Sequence, residues 1–183
     1  MEHFDSKAEV AEYIESIKGD MAATYFMPGF YAQNVKGFIR PGPDGIPTYT
    51  APWHPTETQV PVLDAAKDTG TYVAAILAND PATVNGLYVP AVSQWRTPRQ
   101  IVDTITAVSG TQVKFNPVPE QVYQSFLPAK IAAELTENMV LIRDYSYFGR
   151  DVEKTRAESA RVLRGAQTVS WEQFVEENGP WKW

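Results

Sequence analysis

The 183-residue sequence predicts an α/β fold in which an incomplete parallel sheet is combined with helices throughout the chain. Two observations indicate this class. Short apolar runs that end at glycine or proline are typical of strands buried in a parallel sheet. The segments between them carry apolar residues at helical spacing and begin with capping residues. Because strands and helices follow each other along the whole length, separate all-α and all-β domains are disfavoured.

The first two elements are a helix and a strand. Apolar residues recur at helical spacing between Val10 and Ile17 and predict a helix over residues 7–18. The run 21–27 predicts a buried strand that stops at Pro28. The later predicted elements are a helix at 30–38, short strands at 48–50 and 59–62, a helix at 68–78, a strand at 87–92, a helix from 97 to 110, a strand at 111–117, and helices at 119–126, 128–145, 151–163 and 170–179.

Capping residues indicate where several helices begin. Thr97-Pro98-Arg99-Gln100 places a threonine cap before a proline at the first helical position, with a glutamine able to bond back to the cap. Ser170-Trp171-Glu172-Gln173 repeats the capping pattern at the start of the last helix. Asp68 is predicted to cap the helix at 68–78, which Asn79-Asp80-Pro81 ends.

The composition excludes several classes of function. Sixteen basic and 22 acidic residues give a net charge of −6, which disfavours direct binding to nucleic acid or to an anionic membrane. No apolar run approaches the roughly 18 residues that a membrane-spanning helix needs. The chain has no cysteine, and its histidines, His3 and His54, are far apart, so we expect no disulfide and no metal site. These features favour the cytoplasm or the nucleus.

His3 and Lys7 are four residues apart, so both lie on one face if this segment is helical. The spacing resembles the Tyr-x-x-x-Lys pair of short-chain dehydrogenases, in which the lysine lowers the pKa of the phenol and binds the nicotinamide ribose. His3 stands at the tyrosine position, and an imidazole can also transfer protons. His3 is therefore a candidate catalytic residue and Lys7 a candidate cofactor-binding residue. The alternative is a chance pair on an exposed helix.

A second candidate region follows the first predicted strand. Pro28-Gly29 places the next residues at the carboxyl edge of the sheet, where open α/β folds bind ligands. Phe30 or Tyr31 can stack on a flat ring, and Asn34 can bond a carboxamide, so all three are candidate cofactor-binding residues. The alternative is a strand–helix turn that places aromatic residues in the core.

The phosphate-binding part of a dinucleotide site is missing from the sequence. It contains neither G-x-G-x-x-G nor G-x-x-G-x-x-G, and no P-loop. Backbone amides at a helix N-terminus normally hold the pyrophosphate, so its docking place is not evident.

A set of aromatic residues can line an apolar pocket for a substrate, or can be ordinary core and surface residues. They are Trp53, Trp95, Tyr145, Tyr147, Phe148 and Trp171.

Taken together, these segments resemble the NmrA-like family of atypical short-chain dehydrogenase relatives. Five segments carry the resemblance, in the order of the family: His3-Phe-Asp-Ser-Lys7-Ala-Glu-Val-Ala-Glu-Tyr13, Pro28-Gly-Phe-Tyr-x-x-Asn34, Asp64-Ala-Ala-Lys-Asp-Thr-Gly-Thr-Tyr-Val-Ala-Ala-Ile-Leu77, Glu137-Asn-Met139 through Tyr145-x-Tyr-Phe-Gly149, and Ser170-Trp-Glu-Gln-Phe-Val175. The resemblance implies a Rossmann domain followed by a smaller α/β domain, and binding of NAD or NADP. It places Lys7 at the nicotinamide ribose and Phe30, Tyr31 and Asn34 near the nicotinamide.

The resemblance covers the second half of such a protein, without the Gly-rich dinucleotide-binding segment. Residues 1–40 are predicted to be a remnant of the Rossmann domain, and residues 41–183 a C-terminal α/β domain that binds a substrate or a partner. Three functions stay open. The first is a non-catalytic redox-sensing regulator with a transcription factor as partner. The second is an NADP-dependent reductase or isomerase of a small apolar metabolite. The third is a degenerate paralogue without a ligand.

Overall fold

A computed structural model describes residues 2–183, apart from the side chain of His3. The helices are α1 (Glu2–Ile17), α2 (Ala32–Phe38), α3 (Asp68–Ala78), α4 (Pro81–Val84), α5 (Pro98–Ser109), α6 (Glu120–Ser125), α7 (Ala132–Tyr145), α8 (Val152–Leu163) and α9 (Trp171–Glu177). The strands are β1 (Tyr25–Pro28), β2 (Phe30–Tyr31), β3 (Ile39–Pro41), β4 (Pro47–Ala51), β5 (Val60–Leu63), β6 (Tyr88–Ala91), β7 (Gln94–Arg96) and β8 (Lys114–Pro117). Within these residues, none of the helices has the length and apolar character needed to cross a bilayer.

Parallel pairing dominates around the first strands. β1 pairs with β6 in parallel, and β2, which continues the same stretch of chain, pairs in parallel with β5. β7 adds to β5 in the antiparallel direction. A separate three-stranded sheet has the order β3-β4-β8. The α/β class with a parallel sheet is therefore confirmed. The division at residue 40 stays a prediction, and strands from its two sides pair with each other.

Gly29 is the point where the chain passes from β1 to β2. Its N–H donates to the carbonyl oxygen of Ala91 at 2.9 Å. A Cβ atom at this position would clash with the carbonyl oxygen of Pro61 and would lie 3.1 Å from that of Ala91. Glycine is required here because two neighbouring backbones approach closely on both sides.

The core has a large cluster and a small one. The large cluster packs α5, α7 and α9 against the strands around Trp53 and Trp171. The small cluster lies under α3 and α8, where Tyr72, Val89 and Val162 are buried.

On the outer surface, α1 exposes Val10, Tyr13 and Ile17 by 58–63%, and its buried hydrophobic residue is Ala11. Within residues 2–183, β1 pairs with β6 alone, so its other edge is open.

Several predicted boundaries differ from the observed ones for tertiary reasons. The helix predicted at 30–38 begins at Ala32, because Phe30 and Tyr31 pair with β5. The first helix begins at Glu2 rather than at residue 7, and the first strand is shorter than the predicted 21–27. The strand predicted at 111–117 and the helix predicted at 128–145 also begin later. The short elements β3, α4 and β7 were not predicted.

The predicted capping residues have different outcomes. The capping box at Thr97 is confirmed, because its side chain accepts from Gln100 N and the Gln100 side chain accepts from Thr97 N. Ser170 accepts from Gln173 N and caps α9. The prediction for Asp68 is wrong: α3 spans residues 68–78 as expected, but the N-cap residue is Lys67, and the Asp68 carboxylate accepts from distant residues.

Candidate functional site

The candidate site lies at the carboxyl ends of the parallel strands, where β2 leads into α2. Phe30 is 6% exposed and its ring packs 5.9 Å from Trp53, so its side chain belongs to the core. Tyr31, the next residue, is 41% exposed. Asn34 is exposed on α2. Of the two aromatic residues predicted to stack on a flat ring, Tyr31 is therefore the one whose side chain is accessible.

A hydrogen-bond network fixes the start of α2 against the neighbouring strand. Gln33 Nε2 donates to Asp64 Oδ1 at 2.7 Å, and the N–H of Ala65 donates to Gln33 Oε1 at 3.3 Å. The N–H of Asp64 donates to Ser93 Oγ at 2.8 Å, which links the ends of β5 and β6. Because these groups satisfy each other, the edge beside Tyr31 and Asn34 is held in one arrangement.

The network continues to the C-terminal helix through Asp68. This residue is 1% exposed, and its carboxylate accepts from Ser93 Oγ. It also accepts from the N–H of Val169 at 3.1 Å, just before α9 begins. Burial raises the pKa of the Asp68 carboxyl, although the hydrogen bonds from Ser93 and Val169 lower it in part. The carboxyl edge and the start of α9 are therefore connected through one buried carboxylate.

The buried carboxylate makes a testable contribution to the pH dependence of stability. The pKa of Asp68 is raised above the unfolded value of about 3.9. Its stabilising contribution is therefore fully present below that value and is lost as the pH rises through the folded pKa. The free energy of unfolding of the wild type should fall relative to that of Asp68→Asn between pH 4 and pH 7. Urea denaturation across this range measures it.

Asp103→Asn is the matched control, because Asp103 is exposed on α5. This variant removes one carboxylate without touching the core, so it shows how much of the change comes from the altered net charge alone. A constant difference for Asp68→Asn would contradict a raised pKa of Asp68 in the folded protein.

The six residues of the predicted aromatic set fall into three groups. Trp53 and Trp171 are buried in the large core cluster, and Trp53 Nε1 donates to the carbonyl oxygen of Met139 at 2.8 Å. Both side chains are therefore part of the core. Tyr145 is exposed, with the Arg150 guanidinium 4.9 Å from its ring centre. The remaining three members come together near the carboxyl edge.

We call Phe4, Tyr31, Trp95, Tyr147 and Phe148 the edge aromatic group. The rings of Phe4 and Tyr147 meet edge to face with centres 5.7 Å apart. Tyr147 and Phe148 lie 5.0 Å apart, and Phe148 reaches Trp95 at 6.5 Å. Burial raises the pKa of Tyr147 to about 12, with a smaller contribution from the Tyr31 phenol. The group connects the first turn of α1 to the turn after α7 and to β7.

The two candidate residues on α1 belong to the same helical segment. α1 begins at Glu2, so His3 and Lys7 are one turn apart on it. The side chain of His3 lies outside the described residues, and its proposed catalytic role stays a prediction. Lys7 is exposed, three residues beyond Phe4. The contact of Phe4 with Tyr147 therefore brings the first turn of α1 to the edge that Tyr31 occupies.

Sequence reasoning missed the polar members of this edge. Gln33, Asp64 and Ser93 come from three separate segments, and their hydrogen bonds join residues about thirty positions apart. One sequence signal was present for Asp64, because it directly follows the apolar strand Val60–Leu63 and so had to lie at its carboxyl end.

The fold agrees with the comparisons to known proteins. The profile of the NmrA-like family matches residues 1–175, and the chain belongs to this family. The NmrA-like family domain-containing oxidoreductase lnaB of Aspergillus flavus is 29% identical over 128 residues, which are 64% of this chain and 38% of that protein. The crystal structure of NmrA, a negative transcriptional regulator, superposes with a TM-score of 0.70 at 20% identity. Its complex with NADP superposes with a TM-score of 0.68.

The chain spans about half the length of these proteins. The superposition with NmrA includes 92% of the residues of this chain. The same superposition includes 55% of the residues of the NmrA chain. In the NADP complex the corresponding shares are 87% and 53%. Binding of nicotinamide dinucleotides is thus shown for the structural relatives, and its extension to this chain is a proposal.

Proposed function

We propose that this chain supplies the nicotinamide end of a dinucleotide site in a non-catalytic, redox-sensing regulator of the NmrA type. One observation carries this proposal. Tyr31 ends β2 at the carboxyl edge of the parallel strands, where α/β folds bind ligands, and the first turn of α1 contacts Tyr147 through Phe4. Lys7 stands one turn further along α1, at the spacing expected of a lysine that contacts the nicotinamide ribose.

Two features favour a role without catalysis. His3 occupies the position at which the related dehydrogenases carry a tyrosine, so the phenol–lysine pair is not formed at these positions. The solved relative NmrA is described as a negative transcriptional regulator and has been crystallised with NADP and with NAD. A regulator needs to bind the dinucleotide and needs no proton donor.

A protein partner, such as a transcription factor, fits this role better than nucleic acid. The net charge of −6 disfavours direct contact with phosphate backbones. The route from the site to a partner would run through the network that joins Gln33, Asp64, Ser93 and Asp68 to the start of α9. Dinucleotide occupancy at Tyr31 and Asn34 would then change the contacts that α9 offers.

Calorimetric titration of the full chain with NADPH tests the proposal. We expect saturable binding with a Kd above roughly 10 μM, a value that corresponds to about −7 kcal/mol, because the Gly-rich loop is not part of this sequence. Lys7→Ala should weaken binding by roughly tenfold, since a charge-assisted hydrogen bond to the ribose is lost. Lys130→Ala, on an exposed loop, is the control and should leave the affinity unchanged.

The same titration separates the alternatives. Binding tighter than roughly 10 μM would show that the phosphate-binding loop is not essential. Absence of saturable binding at millimolar NADPH, or an unchanged Kd in Lys7→Ala, would contradict the proposal and favour a paralogue without a ligand.

A second candidate is an NADP-dependent reductase or isomerase of a small apolar metabolite. The observation in its favour is the edge aromatic group, whose adjoining rings offer apolar surface to such a substrate. The relative lnaB is also named an oxidoreductase. Consumption of NADPH in the presence of a panel of ketones and quinones would favour this candidate. Loss of this NADPH consumption in His3→Ala would identify His3 as the proton donor.

A further inference from the structure

The turn that follows α7 has an unusual backbone. Ser146 and Tyr147 both have positive φ angles, 49° and 72°, and Gly149 follows at 128°. Positive φ is uncommon for residues other than glycine, and costly for a bulky side chain. Such strained residues persist where the surrounding structure holds them and are concentrated at functional sites.

Helix termination explains the first of these residues but not the second. The N–H of Ser146 donates to Ile142 O at 3.0 Å, and the N–H of Tyr147 donates to Leu141 O at 3.2 Å. The bond from Ser146 to Ile142 is the usual arrangement at the end of a helix, which needs one residue in the left-handed region. Ser146 fills that position. The positive φ of Tyr147 belongs to a γ-turn, which is closed by the N–H of Phe148 donating to Ser146 O at 2.9 Å and is itself a strained conformation.

The conformation of Tyr147 delivers its ring to the carboxyl edge. The ring meets Phe4 of α1 at 5.7 Å and an interplanar angle of 70°. It meets Phe148 at 5.0 Å and 90°, although consecutive side chains in an extended segment point to opposite faces. The Tyr31 phenol is close enough to affect the ionisation of Tyr147. The turn thus packs the Tyr147 ring on the large core cluster and against Phe4, on the helix that carries Lys7.

The chemistry of this edge fits a planar heteroaromatic ring. Tyr31 offers an exposed ring for stacking, its phenol influences that of Tyr147, and Tyr147 contacts Phe4. Asn34, exposed on the following helix, can bond an amide. The Arg156 guanidinium lies 5.9 Å from the Trp95 ring centre and brings a positive charge to the far end of the group, where it also faces Glu153 at 3.7 Å.

We propose that the Ser146–Gly149 turn forms a wall of the ligand site and that Tyr147 contacts the nicotinamide ring. This inference rests on the proposed function and adds a binding element from the C-terminal part of the chain. Tyr147 acts through its ring, so that an aromatic replacement retains the contact and an aliphatic one loses it.

Two variants of Tyr147 and two ligands test this proposal on the full chain. NADPH contains the nicotinamide ring, and 2′-phospho-ADP-ribose lacks it. Tyr147→Leu should weaken NADPH binding by roughly tenfold, as expected for loss of one aromatic contact, and should leave 2′-phospho-ADP-ribose within roughly twofold. Tyr147→Phe should bind both ligands as the wild type does. Tyr145→Leu is the control, because Tyr145 is exposed and lies outside the edge aromatic group.

The fluorescence of bound NADPH provides a second readout, because it reports the surroundings of the nicotinamide ring. We expect the emission change of the wild type to be retained in Tyr147→Phe and lost in Tyr147→Leu, with unchanged melting temperatures. Equal weakening of both ligands, or unaltered NADPH binding and emission in Tyr147→Leu, would overturn the role of Tyr147 while leaving the proposed function intact. Failure of the wild-type chain to bind NADPH would overturn both.

Discussion

Replacing Gly29 with alanine is expected to destabilise the protein by about 3 kcal/mol or more, the upper part of the range for overpacking. The new Cβ would clash with the carbonyl oxygen of Pro61 and would lie 3.1 Å from that of Ala91. Neither neighbour can move easily, because both belong to paired strands and Gly29 itself bonds to Ala91. Urea denaturation measures the loss as a lower midpoint at unchanged m.

Gly37→Ala is the matched control for this substitution. Gly37 lies in α2, and a Cβ there has no atom within 4 Å. Alanine is the better helix former by roughly 0.5–1 kcal/mol, so this variant should be neutral or slightly more stable. If Gly29→Ala and Gly37→Ala behaved alike, the close approach at Gly29 would not constrain the strands, and the position of Tyr31 would need another explanation.

Trp53→Ala is expected to cost about 3–5 kcal/mol, the range for removing a buried tryptophan from a core. Trp53 is 2% exposed and packs against Phe30 and Tyr49 with ring centres 5.9 and 5.8 Å apart. Its loss also removes the hydrogen bond to Met139 of α7. Thermal denaturation followed by circular dichroism measures the effect.

The control for Trp53 is Trp183→Ala. Trp183 lies at the edge of the core and donates to Lys36 O at 3.5 Å, the limit of a hydrogen bond. We expect a loss below about 1 kcal/mol, because little buried area is removed. If Trp53→Ala and Trp183→Ala lowered the free energy of unfolding by similar amounts, the packing of Trp53 against Phe30 would not contribute to the stability of the core.

Helices with local start and stop signals could be predicted closely from the sequence. α3 has the predicted span because Asn79-Asp80-Pro81 ends it, and α5 begins at the predicted capping box. Phe30 and Tyr31 could not be assigned in this way. Their strand conformation depends on pairing with Val62 and Leu63, about thirty residues away.

The candidate site was predicted in part for the same reason. Tyr31 and Lys7 belong to short motifs whose spacing is visible in the sequence. The aromatic set included Tyr147, but nothing in its neighbourhood predicts a tyrosine with positive φ. Asp68 was assigned to a local cap, because sequence reasoning considers near neighbours first, and its acceptor role depends on Val169 at the other end of the chain.

The exposed stripe of α1, formed by Val10, Tyr13 and Ile17, would link any association through it to the order of the proposed ligand site. Apolar surface yields roughly 25 cal/mol for each Å² that a contact removes from water. Any contact that covers this stripe therefore stabilises α1, the helix that holds Lys7 and places Phe4 against Tyr147. By thermodynamic reciprocity, a ligand that orders the first turn of α1 raises the affinity of that contact. The factor equals the one by which the contact raises the affinity for the ligand.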